Sequence, residues 1–171
     1  MSGVLKRWNL QPAEAAANEI LPCCGSRSWA SGVTARRPLA DEETLLAVSD
    51  RIWNSLAEAD WQEAFRSHPR IGETKALNAS HQSATWSDEE QREVADASAS
   101  AKLALVEGNR EYESRFGRIF IVCATGKSPE EILTIFRRRL ENDHGTELRE
   151  TVEQQRQITQ LRLRKWLQAS R

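Results

Sequence analysis

The chain has 171 residues, the usual length of one domain and enough to bury a core without disulfides or a structural metal. It carries 24 Lys and Arg against 25 Asp and Glu, and this net charge of −1 argues against binding nucleic acid through a basic surface. Hydrophobic residues make up 39% and charged residues 29%, which is typical of a globular rather than a disordered protein, and no apolar run is long enough for a membrane span.

The N-terminal part of the sequence predicts one helix and then a connection. The helix opens near Pro12 and is expected to end at Pro22, because proline is tolerated in a first helical turn and disruptive after it. The following residues 23–32 are rich in small turn residues and predict a connection that closes at Pro38.

Two helices with aspartate caps are predicted next. Asp41 is placed to cap a helix whose apolar residues recur at spacings of three and four, the pattern of an amphipathic helix. Asp60 is placed to cap a shorter helix that must end near His68, because Pro69 disfavours a helical conformation in the residue before it. The apolar face of the first of these helices is formed by Leu45, Val48, Ile52, Trp53 and Leu56.

The middle of the chain combines a polar connection with long helical patterns. Residues 71–85 are polar and predict a connection of a length that is usually functional. Helices are predicted over residues 87–108 and over residues 109–116. Residues 119–124 form a short apolar run, and without a partner strand we expect a buried extended piece or a helical turn.

Two further helices complete the prediction. Ser128 supplies a cap, followed by a first-turn proline and a capping-box glutamate at Glu131, and the last helix covers residues 146–168. Together these elements predict an all-α fold, a single compact bundle of roughly seven to nine helices in one domain over residues 1–171. The helix that begins at Ser128 is expected to bury Ile132, Ile135, Phe136 and Leu140.

The three cysteines, Cys23, Cys24 and Cys123, indicate a reducing compartment. Adjacent cysteines rarely pair with each other, and no C-x-x-C spacing is present to hold zinc. We expect all three to be packing residues, and a cysteine-dependent hydrolase that uses Cys23 or Cys24 stays open as an alternative.

His68 is the first candidate catalytic residue. It stands where a helix must end, with Pro69 fixing the direction of the backbone, and a histidine held in this way can act as a general acid or base near neutral pH. The alternative is a histidine at a helix C-terminus that is favoured by the helix dipole. His81, in the polar connection, and His144, in a turn, are expected on the surface.

The helix start at Ser87 is the second candidate. Ser87 and Glu90 have capping-box spacing, so a purely structural cap is the simplest interpretation. A helix N-terminus also presents N–H groups to an anion, and Glu90 and Gln91 could then hydrogen-bond a carboxylate or carbonyl of a substrate.

Arg162 is the third candidate. At about 100° per residue it lies inside the apolar stripe of the last helix, four residues after Ile158 and four before Trp166. An arginine on a buried face requires a carboxylate of the protein or a bound anion. The alternative is a side chain whose charged head reaches solvent. The same stripe contains Leu148, Val152 and Leu163.

The order of these motifs resembles the 2-oxo-4-hydroxy-4-carboxy-5-ureidoimidazoline (OHCU) decarboxylases of urate breakdown. The resemblance covers nearly the whole chain, and its most specific elements are His68-Pro69-Arg70-Ile71-Gly72 and Ser87-x-x-Glu90-Gln91. One departure is Arg118-Ile119, where the family tends to have two apolar or proline-containing positions, and it leaves the shape of the neighbouring pocket open. Further matching elements are Cys23-Cys24-Gly25-Ser26, Asp60-Trp61, Arg115-Phe116-Gly117 and Leu161-Arg162-Leu163.

The resemblance implies a cofactor-free carboxy-lyase, without a metal, that converts OHCU to S-allantoin and carbon dioxide and is often a homodimer. It implies His68, Glu90 and Arg162 as catalytic residues, with His68 as the acid/base. It assigns substrate binding to Pro69, Ser87, Asp88, Glu89, Glu90, Gln91, Phe120, Ile121, Val122, Cys123, Ala124 and Arg162.

The alternative from another class is a catalytically inactive helical interaction module of the same fold. The joint presence of His68, Glu90 and Arg162 favours the enzyme, because an inactive site has no reason to keep all three. The expected partner is the small-molecule substrate, with neither nucleic acid nor membrane. The N-terminus has no signal-peptide core and the C-terminus no Ser-Lys-Leu peroxisomal signal, so we expect a cytoplasmic location.

Overall fold

The structure is a computed structural model that describes residues 2–70, 86 and 99–168. Within these residues it contains eight helices and no strand, which confirms the predicted all-α class. None of the described helices is both long and apolar enough to cross a membrane. The helices are α1 (Gly3–Leu10), α2 (Ala13–Cys24), α3 (Arg27–Thr34), α4 (Glu42–Asn54), α5 (Glu58–Arg66), α6 (Ala99–Phe116), α7 (Pro129–Leu140) and α8 (His144–Gln168).

The chain divides into two compact units. Unit 1 comprises Met1–Ala64 and Arg156–Arg171, and unit 2 comprises Phe65–Gln155. Unit 2 contains the one tyrosine of the chain, Tyr112, and one of the six tryptophans, Trp86. The other tryptophans fall in unit 1: Trp8, Trp29, Trp53, Trp61 and Trp166.

Helix α2 extends beyond its predicted end. Pro22 lies inside the helix, which continues to Cys24. Gly25 then adopts a left-handed φ of 88° and donates its N–H to the Leu21 carbonyl, a cap that glycine forms without steric cost. This cap and the burial of Cys23 and Cys24 hold the last turn together despite the proline.

Helix α3 replaces the connection that was predicted for residues 23–32. The Ser26 hydroxyl caps it by accepting the N–H of Trp29, whose side chain is fully buried. Gly32 lies inside this helix and lets Ile52 approach closely, because a Cβ at Gly32 would lie 2.8 Å from the Ile52 Cγ2 atom. Helix α1, which was not predicted either, is capped by Ser2.

Helices α4 and α5 match the prediction except for one cap. The Asp41 carboxylate accepts the N–H of Thr44 at 2.8 Å, so its predicted capping role is confirmed. Helix α5 begins at Glu58, which places Asp60 inside the first turn, where it accepts the Ser28 hydroxyl at 2.6 Å. The predicted cap at Asp60 is therefore wrong, while the end of this helix before Pro69 is confirmed.

Helix α6 runs without interruption through Gly108, so the predicted break after that residue is wrong. The glycine lets the Phe136 ring of α7 approach closely, because a Cβ at Gly108 would lie 2.5 Å from the Phe136 Cε1 atom. The capping box at Ser128 is confirmed. The predicted connection over residues 71–85 and the predicted helix start at Ser87 lie outside the described residues.

The first half of α8 buries polar side chains. Its predicted stripe is confirmed at Ile158, Leu163 and Trp166, which are all buried. Towards the N-terminus, however, Leu148 and Val152 are only half-buried. The buried positions there are instead the polar residues Glu147, Thr151 and Gln155. Glu147 and Thr151 are hydrogen-bonded inside the protein.

Candidate active site

His68 lies immediately after α5, at the helix end that the sequence predicts. Its N–H donates to the Phe65 carbonyl at 3.2 Å, and its side chain is half-buried. Pro69, which follows, is buried. The backbone is therefore fixed on both sides of the imidazole, by the last turn of the helix and by the proline ring.

Arg70 ties this turn to α6. Its Nε and Nη2 atoms donate to the two carboxylate oxygens of Glu113 at 2.5 and 2.9 Å. A two-point contact between a guanidinium and a carboxylate sets orientation as well as distance. It therefore restricts the position of the backbone that carries His68 and Pro69.

A buried segment without helix or strand lies between α6 and α7. It comprises residues 120–124 and is named the apolar segment below. The prediction of a buried piece is confirmed, and no strand pairs with it among the described residues. Its members are Phe120, Ile121, Val122, Cys123 and Ala124, each less than a tenth exposed.

Side chains take the place of a partner strand along the apolar segment. The Ile121 carbonyl accepts the Nη1 of Arg139 at 2.6 Å. The Cys123 N–H donates to the Oε1 of Gln154 at 2.8 Å, and the Cys123 carbonyl accepts the Nζ of Lys127 at 2.7 Å. A segment with no strand beside it is thus fixed from α7, from α8 and from the turn that follows it.

Four of the five backbone donors of the apolar segment have no hydrogen-bond partner among residues 2–70, 86 and 99–168. They are the N–H groups of Phe120, Ile121, Val122 and Ala124. A buried polar group without a partner costs about 1–3 kcal/mol, so such groups are rare in proteins. Backbone donors held in a buried position are suited to bind an oxygen on which negative charge develops.

A buried polar cluster, which sequence reasoning missed, supports the apolar segment. The Arg139 guanidinium is fully buried and pairs with the Glu147 carboxylate at 2.5 Å, while Tyr112 donates its hydroxyl proton to the same carboxylate. Burial raises the pKa of Tyr112 to about 12, so this phenol stays protonated. The guanidinium also lies 4.6 Å from the ring centroid of Phe120.

One signal could have located this cluster. Arg139 follows Ile132 by seven residues and Phe136 by three, which places it on the buried face of α7. Its neighbours Arg137 and Arg138 are exposed, and a run of three arginines is more typical of a solvated surface.

Arg162 is fully buried in α8, so the alternative in which its charged head reaches solvent is wrong. Its Nη1 atom lies 3.4 Å from the Pro22 carbonyl, which accepts a hydrogen bond from it. The predicted position of Arg162 on the buried stripe is thereby confirmed, and its catalytic role stays a prediction.

All three cysteines are buried thiols outside any disulfide, as expected for packing residues. Burial raises the pKa of the Cys23 thiol, and it raises that of Cys24 to about 12, although the positive charge of Arg162 opposes both shifts. Thiolates are the reactive form of cysteine, so these two buried thiols are poor nucleophiles at neutral pH. This argues against the cysteine-dependent hydrolase.

The structure places the predicted site residues in different parts of the chain. His68, Pro69 and the apolar segment belong to unit 2, and Arg162 belongs to unit 1. Arg118 has two buried guanidinium nitrogens, Nε and Nη1, with no partner in the described part of the chain. The predicted turn of Ser87, Asp88, Glu89, Glu90 and Gln91 lies outside the described residues, as does His81.

Comparisons with known proteins agree on one family. The sequence model described as OHCU decarboxylase matches residues 9–164. The "Uric acid degradation bifunctional protein TTL" of Arabidopsis thaliana is 37% identical over 153 residues, which cover 89% of this chain and 47% of that protein. The 2-oxo-4-hydroxy-4-carboxy-5-ureidoimidazoline decarboxylase of Amia calva is 28% identical over 141 residues, which cover 81% of this chain and 79% of that protein.

A solved structure is similar over most of the chain. The crystal structure of an OHCU decarboxylase in the presence of (S)-allantoin has a TM-score of 0.76 and 34% identity, covering 88% of this chain and 98% of that one. By contrast, the chain spans about half the length of the Arabidopsis relative, at 47%.

Proposed function

The chain belongs to the OHCU decarboxylase family, and on that premise we propose that it converts OHCU to S-allantoin and carbon dioxide without a cofactor. The observation that carries this proposal is the apolar segment, a buried stretch of backbone whose N–H groups at Ile121, Val122 and Ala124 have no partner within the described part of the chain.

The reaction needs stabilisation of charge more than it needs a reactive group. The bond between the ring carbon and the carboxylate breaks, carbon dioxide leaves, and the electron pair stays on the ring carbon, delocalised into the adjacent imine and carbonyl. Hydrogen-bond donors that are already in place lower the barrier as this charge forms. The N–H groups of the apolar segment can supply such donors to the ring and ureido groups.

A proton must then reach, from one side, the adjacent ring carbon, which is the former imine carbon and carries the ureido group. His68 is the residue we assign to this step, because histidine takes up and releases protons near neutral pH. Pro69 and the Arg70–Glu113 contact hold its backbone in place, and delivery to a single face sets the S configuration. The hydroxyl on the carbon that lost carbon dioxide gives up its proton and becomes a carbonyl, while the former imine carbon and its nitrogen each gain one, so one proton is consumed for each carbon dioxide released.

The remaining site residues complete the proposal on the strength of the family resemblance. Arg162 neutralises an anionic oxygen of the substrate, and Glu90 orients His68 or a ureido N–H. The helix N-terminus that the sequence predicts near Ser87 and Gln91 is assigned to hold the ring and ureido groups. We extend the proposal to a homodimer in the cytoplasm, which sedimentation analysis and localisation of the tagged protein would test.

The decisive experiment uses OHCU generated freshly from urate with the two preceding enzymes. OHCU decays unaided to racemic allantoin, so the circular dichroism of the product separates catalysis from background. We expect rapid formation of S-allantoin with the wild-type protein. The His68→Asn variant should lose about 10²- to 10⁴-fold in rate while its thermal unfolding midpoint stays unchanged.

His144→Asn is the matched control, because this exposed histidine lies outside the proposed site. It should keep wild-type turnover. Retained turnover in His68→Asn would remove His68 from the mechanism. A flat signal from folded wild-type protein would instead favour the inactive interaction module.

A further inference from the structure

We propose that Gln154 and Arg139 are positioning residues of the active site, an inference that rests on the proposed function. They hold the apolar segment in the geometry in which its remaining N–H groups receive the substrate. Neither residue is assigned a direct contact with the substrate.

Gln154 fixes the segment from α8. Its Oε1 atom accepts the Cys123 N–H at 2.8 Å, and its side chain is half-buried. The two backbone donors that flank this one, on Val122 and Ala124, are those available to a ligand among the described residues. A hydrogen bond to the central N–H therefore sets the position of both neighbours through the rigid peptide planes between them.

Arg139 fixes the segment from α7. Its Nη1 atom donates to the Ile121 carbonyl at 2.6 Å. Its Nε and Nη2 atoms are held by one oxygen of Glu147 at 2.9 and 2.5 Å, so the planar guanidinium has a single orientation. The same group lies over the Phe120 ring, which adds a contact with a second member of the segment.

Arg139 and Gln154 differ in charge, in burial and in their contacts outside the apolar segment. Arg139 neutralises the fully buried carboxylate of Glu147, so its removal also unbalances a buried charge. Gln154 is uncharged and half-buried, and its substitution can change the segment while the fold is kept. Gln154 is therefore the residue at which positioning can be measured apart from folding.

Three variants form a matched set. Gln154→Leu keeps the bulk of the side chain and removes the acceptor, whereas Gln154→Glu keeps an oxygen that can accept the Cys123 N–H. Gln160→Leu makes the same chemical change on the same helix and breaks a hydrogen bond to Asp50 instead.

Two measurements are made on each variant of the full chain. Hydrogen exchange of the peptide that covers residues 120–124, without substrate, reports whether the segment is held. Steady-state formation of S-allantoin from OHCU reports KM and kcat separately. For Gln154→Leu we expect exchange in this peptide and KM both to rise about tenfold, the effect of one lost hydrogen bond. Gln154→Glu should restore most of both, and Gln160→Leu should change neither.

A merely structural role would give a different pattern, because a smaller folded fraction lowers kcat and leaves KM unchanged. Unchanged exchange in Gln154→Leu, or an equal rise of KM in Gln160→Leu, would overturn the inference. If the wild-type protein forms no S-allantoin, the proposed function fails, while the exchange comparison still decides whether Gln154 holds the segment.

Discussion

Each unit contains one connection without helix or strand that is held by the same two kinds of contact. These are an arginine over an aromatic ring and an amide side chain hydrogen-bonded to the backbone. Between α3 and α4, the Arg37 guanidinium lies 5.1 Å from the ring centroid of Trp8 and donates to its backbone carbonyl at 2.5 Å. The Asn9 amide accepts the N–H of Leu39 at 3.0 Å and donates to the carbonyl of the same residue at 2.9 Å.

The apolar segment in unit 2 repeats this arrangement with Arg139 over the Phe120 ring and Gln154 on the Cys123 N–H. The two connections differ in how many of their backbone hydrogen-bonding groups have a partner. The connection in unit 1 has both backbone groups of its buried Leu39 paired, whereas neighbouring donors of the apolar segment have no partner among the described residues. Buried polar groups are normally paired, and the proposed binding of substrate by the apolar segment accounts for its exception to that rule.

The largest effect is expected from Arg139→Met, which removes the guanidinium of the unit 2 arrangement. The Glu147 carboxylate is then buried without its cation, so the free energy of unfolding should fall by about 3–5 kcal/mol. Denaturant unfolding measures this loss. Arg138→Met is the control, because the neighbouring arginine is 58% exposed. Equal losses in the two variants would contradict a special role of the buried pair.

Asn9→Leu breaks the corresponding amide contact in unit 1 and is expected to have an intermediate effect. It leaves both backbone groups of the buried Leu39 without their partner, which should lower the free energy of unfolding by about 1–3 kcal/mol. The KM for OHCU should stay unchanged, the reverse of the result expected for Gln154→Leu. A similar rise of KM in both variants would remove the distinction between the two connections.

The smallest effect concerns the exposed Arg138–Glu150 pair. The hydrogen bond from Arg138 is the main reason why the pKa of Glu150 lies below its usual value of 4.5. A carboxyl group with a lowered pKa stabilises the fold above the usual value, and this contribution is lost as the pH falls through the lowered one. Arg138→Met should therefore cost less than about 1 kcal/mol at neutral pH.

Urea unfolding at a series of pH values tests this sign. The difference between wild type and Arg138→Met should shrink to nothing as the pH falls below the lowered pKa of Glu150. A difference that grows on acidification would show that another group is responsible.

Local signals in the sequence predict much of the fold. The caps at Asp41 and Ser128 and the stop before Pro69 depend on neighbouring residues alone, and the structure confirms them. Helix α3 could not be found in this way, because its small residues are typical of turns, while its burial and the close contact of Gly32 with Ile52 depend on residues far away in the sequence.

The candidate site is predictable only in part, for a related reason. Arg162 is recognisable as buried because apolar residues flank it at helical spacing, and the apolar segment is recognisable from its composition. Glu147 and Gln154 lie on α8 and hydrogen-bond to other groups inside the protein. A hydropathy pattern locates buried faces from apolar residues, so it does not reveal buried positions that are polar.

The unequal distribution of tryptophans between the two units makes intrinsic fluorescence a probe of one unit. Five indoles lie in unit 1, and Trp86 is the one indole of unit 2. Trp86→Phe would confine tryptophan fluorescence to unit 1. The unfolding of unit 1 can then be followed by itself, without any attached dye.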